Sequence, residues 1–362
     1  MQEQRPCHIF EGLASGVCSK VFILLFTLVH EKAKRQGVEK QLIGSLNRYE
    51  VWLGQLPEPL PGLPFEPYLY NRPNHLATQR PENPVSVWLC ETSTQQIHAL
   101  LRADRRGPQV ASLAHAPFGG LQFVPSVPAD ALVLLLSCLG RWCREQGGMR
   151  LLIKAPAAGY DQEKFDVGHR AYLSSGFVVA QIRTNHHIPV SERPFLVLIS
   201  GAERRRLRKC LRAGFRAGLW PDPDPAEVYA FVRESRQQLG YSLPMSLAEF
   251  SHLLGELPDS TLVFAVWAGN KPISLTVAIQ VSGRILYNFC PADDLAYRTF
   301  SPMVLLNASL YAYAQQHSFD TIDLGVSLDN GGNEKPSLAR FKENLGGQPS
   351  VKITYEKIFT PG

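Results

Sequence analysis

Thr321-Ile-Asp-Leu-Gly-Val-Ser327, followed by Ser337-Leu-Ala-Arg-Phe-Lys-Glu-Asn-Leu-Gly346, is the stretch on which the fold turns. Thr321–Gly325 reads as a short buried strand, Ser337–Leu345 as a helix, Gly346-Gly347 as its terminator and Val351–Phe359 as a closing strand. Upstream, Ser301-Pro302 pairs an N-cap residue with proline at the first helical position. The helix it opens has Val304, Leu305, Ala308, Leu310 and Tyr311 on its core face. Before it, Leu262–Ala268, Ile273–Val281 and Ile285–Phe289 read as strands, with Gly269-Asn270 and Ser282-Gly283 as hairpin turns.

The same order occurs earlier in the chain. Val85–Glu91, Ile97–Asp104 and Gln109–His115 are alternating or apolar runs between polar turns, as in antiparallel strands. Pro128-Ala-Asp-Ala opens a helical stretch to about Gln146, with Leu132, Leu135, Leu136, Leu139 and Trp142 at helical spacing, and Gly147-Gly148 ends it. Met149–Lys154 is a strand, a helix near Gly168–Ser175 is closed by Gly176, and Phe177–Arg183 and His187–Val190 return to strand character. Helix start to the next strand is 21 residues here (129 to 150) and 19 later (302 to 321). Strand start to the terminating glycine is 26 (150 to 176) and 25 (321 to 346). Near-equal intervals indicate two copies of a sheet–helix–strand–helix–strand unit. The division is 1–42 as an N-terminal extension, 43–192 as the first unit and 193–362 as the second, joined through Ser191–Phe195. The second adds helices near Ala202–Phe215, Asp224–Leu239 and Ser246–Leu254. Residues 43–85 are proline-rich and read as an irregular lead-in with a short helix near Asn47–Leu56.

The chain has 362 residues, enough for two domains, and is 45% hydrophobic and 19% charged, so it carries material for real cores. A net charge of +5 is too mild to mark a dedicated nucleic-acid binder. Seven cysteines with no C-x-x-C pair fit neither a disulfide framework nor a zinc cluster, and no metal site is expected; a reducing cytoplasm is the expected setting. Val21–Val29 is too short to span a bilayer core, which takes about 20 residues, so no stable membrane span is expected. It reads as a buried helix, an interfacial anchor or an upstream extension. No G-x-G-x-x-G, phosphate-loop lysine or Gly-x-Ser-x-Gly string occurs, against dinucleotide enzymes, P-loop ATPases and serine hydrolases of the elbow type. His186-His187, adjacent on a strand, point to opposite faces and form no triad. Cys138 and Cys143 read as core filler.

Asn288-Phe-Cys-Pro291, Tyr297 with Ser301-Pro302, Asp323-Leu-Gly-Val-Ser327, the 337–346 string and, in the first half, Ala116-Pro-Phe-Gly-Gly-Leu121 occur together. This combination resembles the tandem-GNAT family that includes the Fem-type peptidoglycan-bridge aminoacyltransferases and related acetyltransferase-like proteins, over roughly residues 45–360. The resemblance implies an α/β (α+β) fold of two tandem GNAT-like domains, each a mixed, mostly antiparallel sheet flanked by helices. It implies an N-acyltransferase that moves an acyl group from an activated donor to an amine of a small-molecule or cell-wall-related acceptor, such as a peptidoglycan precursor. Acyl-CoA is the favoured co-substrate and aminoacyl-tRNA the alternative; a non-catalytic binding protein is the reading from another class.

In that architecture the donor's arm lies where two parallel strands splay, here 285–289 and 321–325, and the following helix turns its free amides to the donor's phosphates. The donor-binding residues so implied are Tyr287, Asn288, Arg298, Ser301 and Gly325. The Arg/Gln-x-x-Gly-x-Gly/Ala loop usual in acetyl-CoA users is missing; Asp293–Ser301 stands in its place, with Arg298 as a charge in lieu of glycine amides. Asp323 and Lys342 are the catalytic candidates, Asp323 to orient the amine or take its proton, Lys342 to face a carbonyl or phosphate. The bland alternatives are a structural carboxylate and the wet face of a helix. Ser327, Ser337 and Arg340 are substrate-binding candidates, with turn chemistry as the alternative for the serines. Arg204–Arg216 has seven basic residues in thirteen positions. Leu207, Leu211 and Phe215 give this helix one apolar stripe, leaving a cationic face for tRNA, a nucleotide-linked substrate, anionic lipid or solvent.

Overall fold

Short alternating runs do form strands, and the strands join into one sheet. The computed structural model describes residues 40–56, 63–79, 81–113, 115–243 and 245–360; the Val21–Val29 run, Cys7, Cys18 and nearly all of the N-terminal extension lie outside these. The first half runs β1 (Lys40–Leu46), β2 (Tyr49–Gly54), α1 (Pro73–Thr78), β3 (Pro84–Glu91), β4 (Ile97–Arg106), β5 (Gln109–Ser112), β6 (Gln122–Phe123), α2 (Ala129–Glu145), β7 (Arg150–Lys154), α3 (Gln162–Ser174) and β8 (Val178–Pro189). The second runs α4 (Phe195–Leu198), α5 (Gly201–Arg212), β9 (Arg216–Leu219), α6 (Pro225–Gln238), α7 (Leu247–Glu256), β10 (Thr261–Ala268), β11 (Lys271–Ser282), β12 (Ile285–Asn288), β13 (Ala292–Asp293), α8 (Pro302–Gln316), β14 (Thr321–Val326), α9 (Pro336–Asn344) and β15 (Gln348–Ile358).

The internal repeat is visible in the pairing. β5 runs parallel to β7, and β12 runs parallel to β14; each pair is bridged by a long helix, α2 or α8, and the neighbouring meanders are antiparallel. Gly176 and Gly346 close α3 and α9 at corresponding places, both with positive φ (78 and 88). The last strands, however, change places. The sheet order is β1-β2-β3-β4-β5-β7-β15-β8-β14-β12-β11-β10-β9. β8, made by the first half, lies on β14, while β15, made by the second, lies on β7. The sheet therefore runs unbroken across the 192/193 division.

Four differences from the expected elements have local causes. Residues 49–54 form a strand, not the helix expected near Asn47–Leu56, because Tyr49, Val51 and Leu53 are buried at every second position. Helix α3 begins at Gln162, earlier than Gly168, because Asp161 caps it by accepting from the Lys164 amide. β8 is one continuous strand rather than two, since β14 and β15 support it from both sides. On α5 the buried residues are Glu203, Leu207 and Cys210; Leu211 is exposed, and Phe215 is buried beyond the helix's end.

Apolar burial follows the layers. α2 and α3 cover one face of the first half, and Ile353 and Tyr355 of β15 belong to that core. α8, buried nearly all round through Val304, Leu305, Leu306, Leu310, Tyr311 and Ala314, forms the second core with α5. A third cluster, with Leu69, Tyr70, Phe118, Leu253, Ile279 and Ile285, joins the halves.

Candidate active site

The site forms where β12 and β14 part. Their parallel register runs Ile285↔Thr321, Leu286↔Ile322 and Tyr287↔Asp323, then stops. β14 continues to Val326 against β8, with a bulge between Asp323 and Gly325. Beyond Asn288 the β12 segment stays with β11: the amides of Phe289 and Cys290 donate to the Val277 carbonyl, and β13 resumes the antiparallel pairing at Leu275↔Ala292. Past Asp323, the β12-facing edge of β14 has no strand partner among the described residues.

At this fork Asp323 and Lys342 hold opposite ends of Gly325. Asp323 is 2% exposed; its Oδ1 accepts from the Gly325 amide at 2.8 Å and from Asn185 Nδ2 at 2.7 Å, and its Oδ2 accepts from the Tyr160 hydroxyl at 2.6 Å. Both carboxylate oxygens are thus occupied, by three donors in all, which anchors the group in one orientation. Lys342, on α9 and 8% exposed, donates from Nζ to the carbonyls of Gly325 at 2.9 Å and Val326 at 2.8 Å. Burial brings its pKa down to about 8, against the opposing pull of Asp323. Gly325 takes φ +70, and a Cβ there would lie 3.3 Å from the Tyr287 ring, so the glycine serves both the bulge and the approach of Tyr287.

The other expected residues divide. Asn288 is buried one position past the fork, accepting from Thr276 Oγ1 at 2.6 Å and donating to Asn307 Oδ1 at 3.4 Å, which ties β12 to α8. Ser327 is buried just beyond β14, and its Oγ has no hydrogen-bond partner among the described residues. Ser337 and Arg340 are exposed on α9, and Arg298 is exposed before α8. Among the described residues no hydrogen bond links these three to the Asp323 group. Ser301 occupies the N-cap position of α8, yet in a left-handed conformation (φ 58, ψ 59) that leaves its side chain capping nothing. Beside it, α5 packs its basic helix on α8, and Lys209 Nζ donates to the Thr299 carbonyl at 2.7 Å.

Tyr160, Asn185, His186 and His187 complete the constellation. The adjacent histidines do point to opposite faces. His186 is 1% exposed with Nε2 3.6 Å from Glu343 Oε1; burial, with Lys342 nearby, lowers its pKa. The His187 ring packs over Gly159, on the side of Asp323. Buried polar atoms that have no hydrogen-bond partner among the described residues gather at this fork: Asn185 Oδ1, His186 Nδ1, His187 Nδ1, Ser327 Oγ and Ser350 Oγ. Such atoms are uncommon in folded interiors, and a cluster of them marks a place that a polar ligand or water completes. On the other side of Tyr160, a cavity of about 500 Å³ opens between the halves, with walls from both.

Comparison with known proteins agrees with this architecture. Residues 201–343 match the family described as an acetyltransferase (GNAT) domain. No curated protein matches the sequence. Among solved structures, FemX is similar with a TM-score of 0.61 at 13% identity, over 81% of this chain and 93% of its own. A conserved protein of unknown function from Bacteroides thetaiotaomicron VPI-5482 is similar with a TM-score of 0.51 at 10% identity, over 79% and 90%. A tandem GNAT protein from the clavulanic acid biosynthesis pathway gives a TM-score of 0.47 at 12% identity, over 80% and 88%. At these identities the likeness is one of fold.

Proposed function

For a tandem-GNAT chain of Fem-like fold whose second half is an acyltransferase domain, we propose that the fork between β12 and β14 binds an acyl-CoA and that the acyl group passes to an amine. The observation that carries this reading is the end of the parallel register at Tyr287↔Asp323, which leaves strand-edge groups for an extended donor arm to pair with. The uncharged amine nitrogen bonds to the thioester carbonyl carbon, the carbon–sulfur bond breaks, and the proton the nitrogen gives up ends on the sulfur, so that CoA leaves as its thiol. Asp323 and Lys342 fix the two peptide groups on either side of the Gly325 Cα, one through its amide and the other through its carbonyl, which holds the strand edge in one geometry before the donor arrives. The Gly325 amide is taken by Asp323, so stabilisation of a developing oxyanion falls to other groups along the open edge. Asp323, with both oxygens engaged, acts as a positioning group. The α8 N-terminus, with Arg298 and Lys209 near it, would face the donor's phosphates. Ser327, Ser337 and Arg340 remain substrate-binding candidates, of which only Ser327 lies at the fork.

Aminoacyl-tRNA is the second donor, favoured by α5. Arg204, Arg205, Arg206, Arg208, Lys209 and Arg212 are exposed on it, and it packs beside the start of α8. The deciding experiment is thermal unfolding with saturating acetyl-CoA and, separately, with charged tRNA. A rise in midpoint with acetyl-CoA is expected; no rise with it, together with a rise on charged tRNA, assigns the donor to the second class.

A further inference from the structure

The cavity between the halves has an unusual charge pattern for a pocket beside a transferase centre. Each of its cations already sits on a carboxylate. Lys164 pairs with Asp161 at 3.2 Å, and Arg284 pairs with Asp320. The third carboxylate, Glu66, holds Arg72 at 2.6 Å and accepts from the Gly283 amide. Phosphate recognition is strongest where the charge of Arg or Lys is not already offset by a carboxylate. Phe65, Phe123, Phe165 and Tyr172 supply much of the rest of the wall. Aromatic faces, with the wall's charges already paired, suit a largely apolar molecule, and a ring face also receives an ammonium. The volume, about 500 Å³, is that of an ordinary small-molecule site.

Tyr160 belongs to both the cavity and the fork. Its ring is held edge-on by Phe118 and Tyr68, with centroids at 5.4 and 5.9 Å, it lines the cavity, and its hydroxyl donates to Asp323. A phenol whose one proton is given to a carboxylate has only acceptor capacity left, so its polar neighbour must be a donor, as an amine is.

Resting on the acyl-transfer reading, we propose that this cavity takes the acceptor, an amine with a compact aromatic or aliphatic body and no phosphate, and that Tyr160 positions its nitrogen toward Asp323 and the fork. Tyr160 is a positioning residue. The proposal separates this chain from transferases whose acceptors are nucleotide-linked.

Gly168 on α3 gives a clean way to close the cavity. It lines the wall, and a Cβ there meets only the Phe123 ring edge, at 3.7 Å, so a larger side chain projects into the space. Binding of phenethylamine and of UDP-N-acetylglucosamine is measured by calorimetry on the wild type and Gly168→Leu, and acetyl transfer from acetyl-CoA to phenethylamine on the wild type and Tyr160→Phe. Phenethylamine is expected to bind the wild type and to bind Gly168→Leu at least about tenfold more weakly, with the melting temperature retained; UDP-N-acetylglucosamine is expected to bind neither. Tyr160→Phe is expected to lower kcat about tenfold or more while leaving KM for acetyl-CoA unchanged. No binding of phenethylamine, binding that Gly168→Leu leaves untouched, binding of UDP-N-acetylglucosamine that Gly168→Leu abolishes, or an unchanged kcat in Tyr160→Phe would overturn the proposal. A failure of acetyl-CoA to stabilise the protein would instead remove the donor reading, and the amine-binding arm is read without it.

Discussion

At the residue scale, the centre is one residue, Gly325, held by the two peptide groups that flank it. Asp323 takes the Gly325 amide and Lys342 takes its carbonyl, and neither contact is visible in the linear spacing of 19 residues between the two side chains. Asp323, Gly325 and Lys342 were nonetheless legible, because each stands in a short string with a family resemblance. Tyr160, Asn185 and His186 were not: all three come from the first half, the latter two from β8, and a tyrosine after Ala157-Ala-Gly159 has no periodicity to distinguish it. The buried ammonium of Lys342 has a consequence for stability. Its pKa is about 8 in the fold against 10.5 when exposed, so between these values the unfolded chain holds a proton that the folded chain has released. Stability contributed by this group therefore rises with pH across that window and is least below pH 8. Compared by urea unfolding at pH 7 and pH 10.5, the stability of the wild type relative to Lys342→Met is expected to shift in favour of the wild type by on the order of 3 kcal/mol. A difference that does not move with pH would place the ammonium in a solvated setting.

At the element scale, the repeat intervals read from glycine and proline positions locate real helix and strand ends, since those residues act locally through φ and through missing amides. Errors arose where alternation was short and embedded among prolines, as in β2, or where an aspartate cap preceded a weakly apolar first turn, as in α3. The paired terminators give a measurable contrast. Gly176→Ala places a Cβ near only the flexible end of Lys357, so its cost is the left-handed backbone, about 1–2 kcal/mol. Gly346→Ala adds a contact of 2.9 Å with the Leu198 Cβ, where α4 packs against the end of α9. Urea unfolding is expected to show the second variant to be the weaker by about 1 kcal/mol or more; equal losses would mean that α4 yields without cost.

At the scale of the whole molecule, the exchange of final strands makes each half depend on the other. Residues 43–192 alone lack β15, and β7 would present an open edge; residues 193–362 alone lack β8 beside β14. An unpaired strand edge with apolar faces promotes association. Each fragment is expected to be insoluble or unfolded by circular dichroism, and the full chain to melt in a single calorimetric transition covering both halves. Two separate transitions would show that the halves fold independently in spite of the shared sheet. The same exchange builds the site, since β8 brings Asn185 and His186 to β14 and the segment before α3 brings Tyr160 to Asp323.

The linear sequence determined what depends on near neighbours: two sheet–helix–strand–helix–strand units, their glycine and proline stops, the basic helix, and the strings holding Asp323 and Lys342. Which strand pairs with which was decided only in three dimensions. β8 and β15 have comparable apolar patterns, and nothing local distinguishes a strand that returns to its own unit from one that crosses to its neighbour. That choice depends on contacts between residues more than a hundred positions apart, such as Tyr160 with Asp323, and it is the one that assembles the fork, its buried carboxylate and the cavity beside it.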